Sequence, residues 1–328
     1  MACSNLMSRL ITLIRAGESV LLCGRPGCGK SDIAAQCVQE AGRSLIVSHP
    51  VISDPVDYRG LPANVGGRAE FLPFGDLRAM IDASEPTTVF FDDLGQAAHS
   101  VQAALMQIVL ARRIGDHAVS RHVSFVAATN RVRDRAGVSS ILAPLINRFA
   151  QIIEIDPSID DWMSWALRNG VPTEVVGFAA WRPALLAEEP TKEIAAFCSP
   201  RSLAALGRLR KLGLTGLDTA CGAIGAGAGA EFMAFMATAQ KLPKIEEILK
   251  SPSRAAIPAE TSAKYAAISL LLNHAAGDTA DALTTYALRL GDEYAFLFLT
   301  SVITACPEFG GTDRYQKWAE KNANYLKQ

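Results

Sequence analysis

The segment Gly24-Arg25-Pro26-Gly27-Cys28-Gly29-Lys30-Ser31 constrains this chain more than any other. It fills every fixed position of the pattern G-x-x-x-x-G-K-[ST]. In that spacing the glycines let backbone N–H groups turn inward around phosphate oxygens, and the next helix presents its positive end to them. The flanks agree: residues 19–23 read as an apolar strand and residues 31–41 as a helix. Lys30 is then the side chain that reaches the β- and γ-phosphates, and the Ser31 hydroxyl is the ligand for a magnesium ion. Cys28, inside the loop, reads as a small filler side chain rather than a redox group.

Hydrolysis at such a loop needs an acidic site on a neighbouring strand, where one carboxylate faces the metal and the next activates water. The run Val89-Phe90-Phe91-Asp92-Asp93 supplies both acids at a strand end. Asp92 is the candidate on the metal side and Asp93 the candidate base.

Around these motifs, apolar β-type runs at 19–23, 45–48, 88–91, 122–128 and 152–155 alternate with helical patterns at 30–41, 74–83, 100–111 and 139–145. That alternation predicts an α/β domain over residues 1–155, a parallel sheet flanked by helices. Beyond Asp156-Pro157 the β-branched runs thin out and helical periodicity takes over. A helical domain is expected over 156–215 and a second helical unit over 216–328. The second opens with a glycine- and alanine-rich stretch that suits close helix packing or a helix junction. Ser199-Pro200-Arg201 reads as a helix start, with Ser199 as N-cap and Pro200 at the first position.

Composition narrows the function classes. Hydrophobic content of 49% with 20% charged residues excludes a largely disordered chain, and a net charge of −1 gives no global pull toward nucleic acid or anionic membrane. The seven cysteines are odd in number and form no C-x-x-C pair, which argues against a disulfide framework and a zinc site and favours a reducing cytoplasm. No signal-peptide layout and no uninterrupted spanning segment is read, so a soluble protein is expected.

In order and spacing, the phosphate loop, Asp92-Asp93, Ala128-Thr129-Asn130, Leu145-Ile146-Asn147-Arg148-Phe149 and Ser199-Pro200-Arg201 resemble the AAA+ ATPases, and within them the MoxR-like group of the helix-2-insert clade. The resemblance implies a P-loop AAA+ core, an α-helical lid and a helical C-terminal extension, with ATP and Mg²⁺ at the site. It implies that Asn130 is the polar sensor that positions the attacking water, that Arg201 is a second sensor on the lid, and that Arg148 is an arginine finger donated to the neighbouring subunit. Arg112, Arg113, Arg133 and Arg135 compete with Arg148 for that role, although Arg112-Arg113 also fits a solvated basic helix end. Residues 53–74 are similar to the inserted region, with a small hairpin expected near Gly66-Gly67. Asp57, Tyr58 and Arg59 receive no role. A homo-oligomeric, hexameric ring acting on a protein client or a von Willebrand factor A-domain partner follows from the same resemblance. A nucleic-acid-associated motor and a nucleotide-gated scaffold with low turnover are the alternatives. The scaffold is kept open because Asp93 is one methylene shorter than the glutamate usual in the family.

Overall fold

The computed structural model describes residues 2–131, 141–156, 158–188 and 194–326. The chain divides into two compact units, Ala2–Asp156 and Pro157–Gln328, where the sequence reading has three.

The first unit opens with helix α1 (Ala2–Ala16), strand β1 (Val20–Gly24), helix α2 (Lys30–Glu40) and strand β2 (Ser44–Ser48). A hairpin of β3 (Leu61–Val65) and β4 (Arg68–Leu72) precedes α3 (Gly75–Asp82), β5 (Thr87–Phe91) and α4 (His99–Met106). The short strands β6 (Arg113–Ile114) and β7 (His117–Ala118) lead to β8 (Val123–Asn130), α5 (Ala143–Ile146) and β9 (Gln151–Ile155).

Five of these strands form one parallel sheet in the order β2-β5-β8-β1-β9. The central strands are continuous apolar runs because a parallel sheet is covered on both faces, and every residue of β5 and β8 is buried. One face packs Leu21, Val89, Phe91, Phe125 and Ala127 into a core with Leu77, Met80, Leu105 and Ile108. The other packs Leu22, Phe90, Val126 and Ile153 against Leu10, Ile14 and Val38.

Two expectations change in the structure. Helical periodicity over 100–111 predicts one helix, but α4 stops at Met106 and a π-helical turn over Gln107–Ala111 follows. Arg112 then takes a left-handed φ of 51°. Its guanidinium donates to Ser120 O (2.8 Å) and Val123 O (2.7 Å) and lies 5.5 Å from the centroid of the Phe125 ring. Arg112 is therefore a clamp inside the unit rather than a solvated helix end. Arg113 is exposed and donates to Asp116 O within its own hairpin. Arg133, Arg135 and the start of the expected 139–145 helix lie outside the described residues.

The hairpin is present where Gly66-Gly67 suggests it, with Gly67 N donating to Asn64 Oδ1. Tyr58, left without a role by the sequence, is buried beside it. Its hydroxyl lies 2.8 Å from Ser48 Oγ and its ring meets Phe91 edge-on, so it anchors the segment before the hairpin to the sheet.

The second unit is helical: α6 (Ile159–Arg168), α7 (Thr173–Trp181), α8 (Pro200–Lys211), α9 (Leu217–Ile224), α10 (Ala226–Ala239), α11 (Ile245–Lys250), α12 (Thr261–Asn273), α13 (Ala280–Leu290), α14 (Asp292–Ala305), α15 (Asp313–Lys321) and α16 (Ala323–Leu326). Its apolar packing runs across the expected border at 215/216, because Phe178 of α7 meets Phe232 and Phe235 of α10 edge to ring. In the glycine-rich stretch, a Cβ on Gly229 would stand 2.6 Å from Cys221 N, which is why α9 and α10 approach so closely there. Among the described residues no helix is long and apolar enough to cross a membrane.

Candidate functional site

The strand order brings the C-terminal ends of β5, β8 and β1 side by side, and ligands of open α/β sheets bind outside such ends. β1 ends at Gly24, where a side chain is sterically forbidden: a Cβ would stand 2.5 Å from Ile155 O on β9. The chain then turns through the loop to Gly29, whose φ of 94° precedes the first residue of α2. The loop's last positions thus sit at a helix N-terminus, where free N–H groups and the helix dipole favour an anion.

Lys30 is buried at that point and makes three contacts. Its Nζ donates to Gly24 O (3.0 Å), Arg25 O (2.9 Å) and Asn130 Oδ1 (2.7 Å). Burial lowers its pKa, partly offset by nearby Cys28, Asp93 and Asp92. Beside it, burial pushes the Cys28 thiol up, so the side chain stays a neutral packing group, as its small size suggests.

β5 delivers the acids. Ser31 Oγ donates to Asp92 Oδ2 at 2.9 Å, so a hydroxyl and a carboxylate meet next to the loop. That all-oxygen pair is the donor set a hard divalent cation takes, and it fits magnesium. Asp93 follows with a left-handed φ of 53°, a conformation that costs a non-glycine residue about 1–2 kcal/mol and that aspartate tolerates better than most. Its Oδ1 accepts from Gln96 Nε2 (3.3 Å) and from Asn130 Nδ2 (3.5 Å). Asn130, at the end of β8, is buried and bridges the cation and the second acid through the two ends of its carboxamide.

Lys30, Ser31, Asp92, Asp93 and Asn130 are therefore one hydrogen-bonded constellation. Arg148 is outside it: the side chain is partly exposed beyond α5 and donates to Pro144 O at 2.6 Å. Arg201 is exposed on the first turn of α8, in the helical unit. That turn is well fixed. Ser199 and Ser202 form a reciprocal capping box, and Trp162 Nε1 donates to Pro200 O.

Two residues of the site escaped the sequence. Gln96 steadies the Asp93 carboxylate from a short 3₁₀ turn, and its only sequence signal is a polar residue three positions past the acid. Arg131 directly follows Asn130 and is buried, held by Glu154 and Asp156. Nothing in the spacing of 131, 154 and 156 pairs them without the sheet order.

Residues 20–157 match the family model of the ATPases associated with various cellular activities (AAA). No curated protein matches the sequence. Solved structures similar to this chain include a RuvB mutant of Thermotoga maritima, at 17% identity over 76% of this chain and 75% of that chain, with a TM-score of 0.45. The RuvB Holliday junction branch migration motor of the same organism gives 16% identity over 76% and 74%, with a TM-score of 0.41. NtrX from Brucella abortus in complex with ADP gives 11% over 99% and 68%, with a TM-score of 0.42. Likeness at this level says nothing about what the present chain acts on.

Proposed function

We propose, from the match of residues 20–157 to the AAA ATPase family model, that this protein is a Mg²⁺-dependent, MoxR-like AAA+ ATPase that works as a ring, of six subunits by resemblance, and remodels or activates a protein partner. The observation that carries the reading is the convergence of Lys30, Ser31, Asp92, Asp93 and Asn130 at adjoining strand ends.

In this reading Lys30 gives up its contacts with Gly24, Arg25 and Asn130 to phosphate oxygens, which match its charge where carbonyls do not. Ser31 and Asp92 would hold a magnesium ion, which would supply positive charge at the phosphate oxygens. Asn130, freed from Lys30, orients a water molecule. Asp93 accepts its proton as the water oxygen bonds to the γ-phosphorus and the bond to the ADP oxygen breaks. Arg201 acts on the phosphates from the helical unit, with residues 156–215 as a lid and 216–328 as an extension of it. Arg148 acts across the subunit interface.

The partner is a protein of the type that carries a von Willebrand factor A domain, and the setting is the cytoplasm. The partner comes from the MoxR-like motif set and the near-neutral charge, and the setting from the odd number of cysteines with no C-x-x-C pair. Steady-state ATP hydrolysis with and without DNA tests the reading against its alternatives. Magnesium-dependent turnover indifferent to DNA supports it. Stimulation by DNA transfers the chain to the motor class, and tight ATP binding with negligible turnover transfers it to the scaffold class, which the short Asp93 side chain keeps open.

A further inference from the structure

Among the described residues, Lys30 and Arg131 are the charged side chains that the protein buries. Lys30 is accounted for by the phosphate loop. Arg131 is not.

Its Nη1 donates to Glu154 Oε1 at 2.8 Å and to Asp156 Oδ1 at 2.9 Å. The arginine side chain is 6% exposed, whereas those of the two acids are 53% and 65% exposed. β1 lies between β8 and β9, and the register sets Asn130, Gly24 and Ile155 in one row. Arg131 follows the first member of that row. Glu154 and Asp156 bracket the last and, two residues apart, share a face. With strands spaced about 4.8 Å apart, the Arg131 side chain and the two acids together close a gap of roughly 10 Å across the end of β1. The row's middle member, Gly24, opens the phosphate loop, and its carbonyl accepts from Lys30. Arg131 also lies within electrostatic reach of Cys28 inside the loop.

Stability is a poor explanation for this arrangement. A buried ion pair gives back little more than its desolvation cost, and here the acids are in water and would remain solvated without the arginine. What the bridge does fix is geometry: it ties the ends of two strands together beside the residue that touches both Lys30 and Asp93.

We propose that Arg131 is a positioning residue, a strap across β8, β1 and β9 that holds the Asn130 carboxamide in register with the phosphate loop and Asp93. The inference rests on the reading of Asn130 as the residue that orients the attacking water. It requires that loss of the strap slow turnover while ATP binding, which is carried by the loop itself, stays close to that of the parent.

The test uses the full chain with single-turnover ATP hydrolysis, binding of a fluorescent ATP analogue and thermal unfolding. The variants are Arg131→Met, the pair Glu154→Gln with Asp156→Asn, Asn130→Ala, and Arg131→Met combined with Asn130→Ala. Loss of either end of the strap should lower turnover on the order of tenfold, the size typical of residues that orient a catalytic group. The combined variant should be no slower than Asn130→Ala alone. Parental turnover with only a lowered melting temperature would make the ion pair merely structural and overturn the strap. Independent losses in the combined variant would overturn the claim that it acts through Asn130. A parental rate in Asn130→Ala would remove the Asn130 reading and the strap together, whereas a slow Asn130→Ala beside a parental Arg131→Met would remove the strap alone. If Arg131→Met fails to fold, the exposed acid pair carries the same measurement.

Discussion

The two units bury different kinds of side chain. Among the described residues the α/β unit buries Lys30, Arg131, Asn130 and Gln102 along with several hydroxyls, while the helical unit buries no charged side chain, its buried polar groups being the hydroxyls of Ser199, Ser269, Thr284, Ser301 and Tyr286 and the Trp162 indole N–H. The helical unit is held instead by aromatic contacts such as Phe178 with Phe232 and Trp181 stacked on Phe235. Burying a charge is costly unless it is paired, so a fold that does it twice beside one strand end accepts that cost for chemistry rather than for packing. The inactive-looking half is built for cohesion, and the half with the loop is built around a few exactingly placed polar atoms.

All four tryptophans, Trp162, Trp165, Trp181 and Trp318, lie in the helical unit. Tryptophan fluorescence therefore follows that unit alone, which lets substitutions in one half be checked against the other. The largest effect is expected at Arg148. A guanidinium aimed at the transition state from a neighbouring subunit contributes about a thousandfold or more to turnover, and a solvated surface arginine almost nothing. Arg148→Ala should be nearly inactive with its own pocket intact, and mixing it with Lys30→Ala subunits should restore part of the lost rate. Full activity in pure Arg148→Ala would return the residue to the exposed contact with Pro144 O that it makes within its own chain.

Asp93→Asn should lower turnover by about a hundredfold or more while ATP still binds, since the proposed general base is removed but the Ser31–Asp92 pair is kept. Asparagine suits this test because it, too, tolerates the left-handed backbone, so the change isolates chemistry from strain. Parental turnover would mean that another acid activates the water.

Lys30→Ala should weaken ATP binding by about a hundredfold, the worth of a charge-assisted contact at a buried site, with the tryptophan unfolding transition unmoved. A pH signature accompanies it. Because burial lowers the Lys30 pKa, ATP affinity should begin to fall at a less alkaline pH than an ordinary lysine would dictate, and the variant should lack that limb. The stability sign is opposite: between the lowered folded value and the ordinary one, the unfolded chain holds more protons, so the unliganded protein should gain stability as pH rises through that window. Calorimetry across the alkaline range checks both limbs.

Gly177→Ala reverses the comparison by striking the helical unit. A Cβ at Gly177 would overlap Ser269 Oγ and stand 3.1 Å from Tyr265 O, forcing α7 and α12 apart. The expected loss is about 1–3 kcal/mol, read as an earlier tryptophan transition, with fluorescent-ATP binding to the α/β unit unchanged. Smallest of all is the effect expected at Cys198. Burial, with Glu188 nearby, pushes its thiol up to about 12, so it should resist alkylation at pH 8 in the folded protein and react only on unfolding.

Local patterns along the chain suffice for the elements and the loop. Apolar runs and glycine spacing are local properties, so β1, the phosphate loop, α2, the acids after β5, the hairpin at Gly66-Gly67 and the Ser199 cap could all be read from neighbours along the chain. Tertiary structure decided what lies across strands. Helical periodicity could not reveal the π-helical turn that follows Met106, nor that Arg112 beyond it donates to Val123 O on β8. Neither could it give Tyr58 its seat against Phe91, or join α7 to α10 through Phe178 and Phe235. The same holds for Arg131: its charge is printed in the sequence, but its partners are 23 and 25 residues away and meet it only once β1 is laid between β8 and β9. Backbone propensity acts between near neighbours, whereas the pairing of a buried charge is settled by strand order, which the parallel crossovers fix only when the whole sheet has formed.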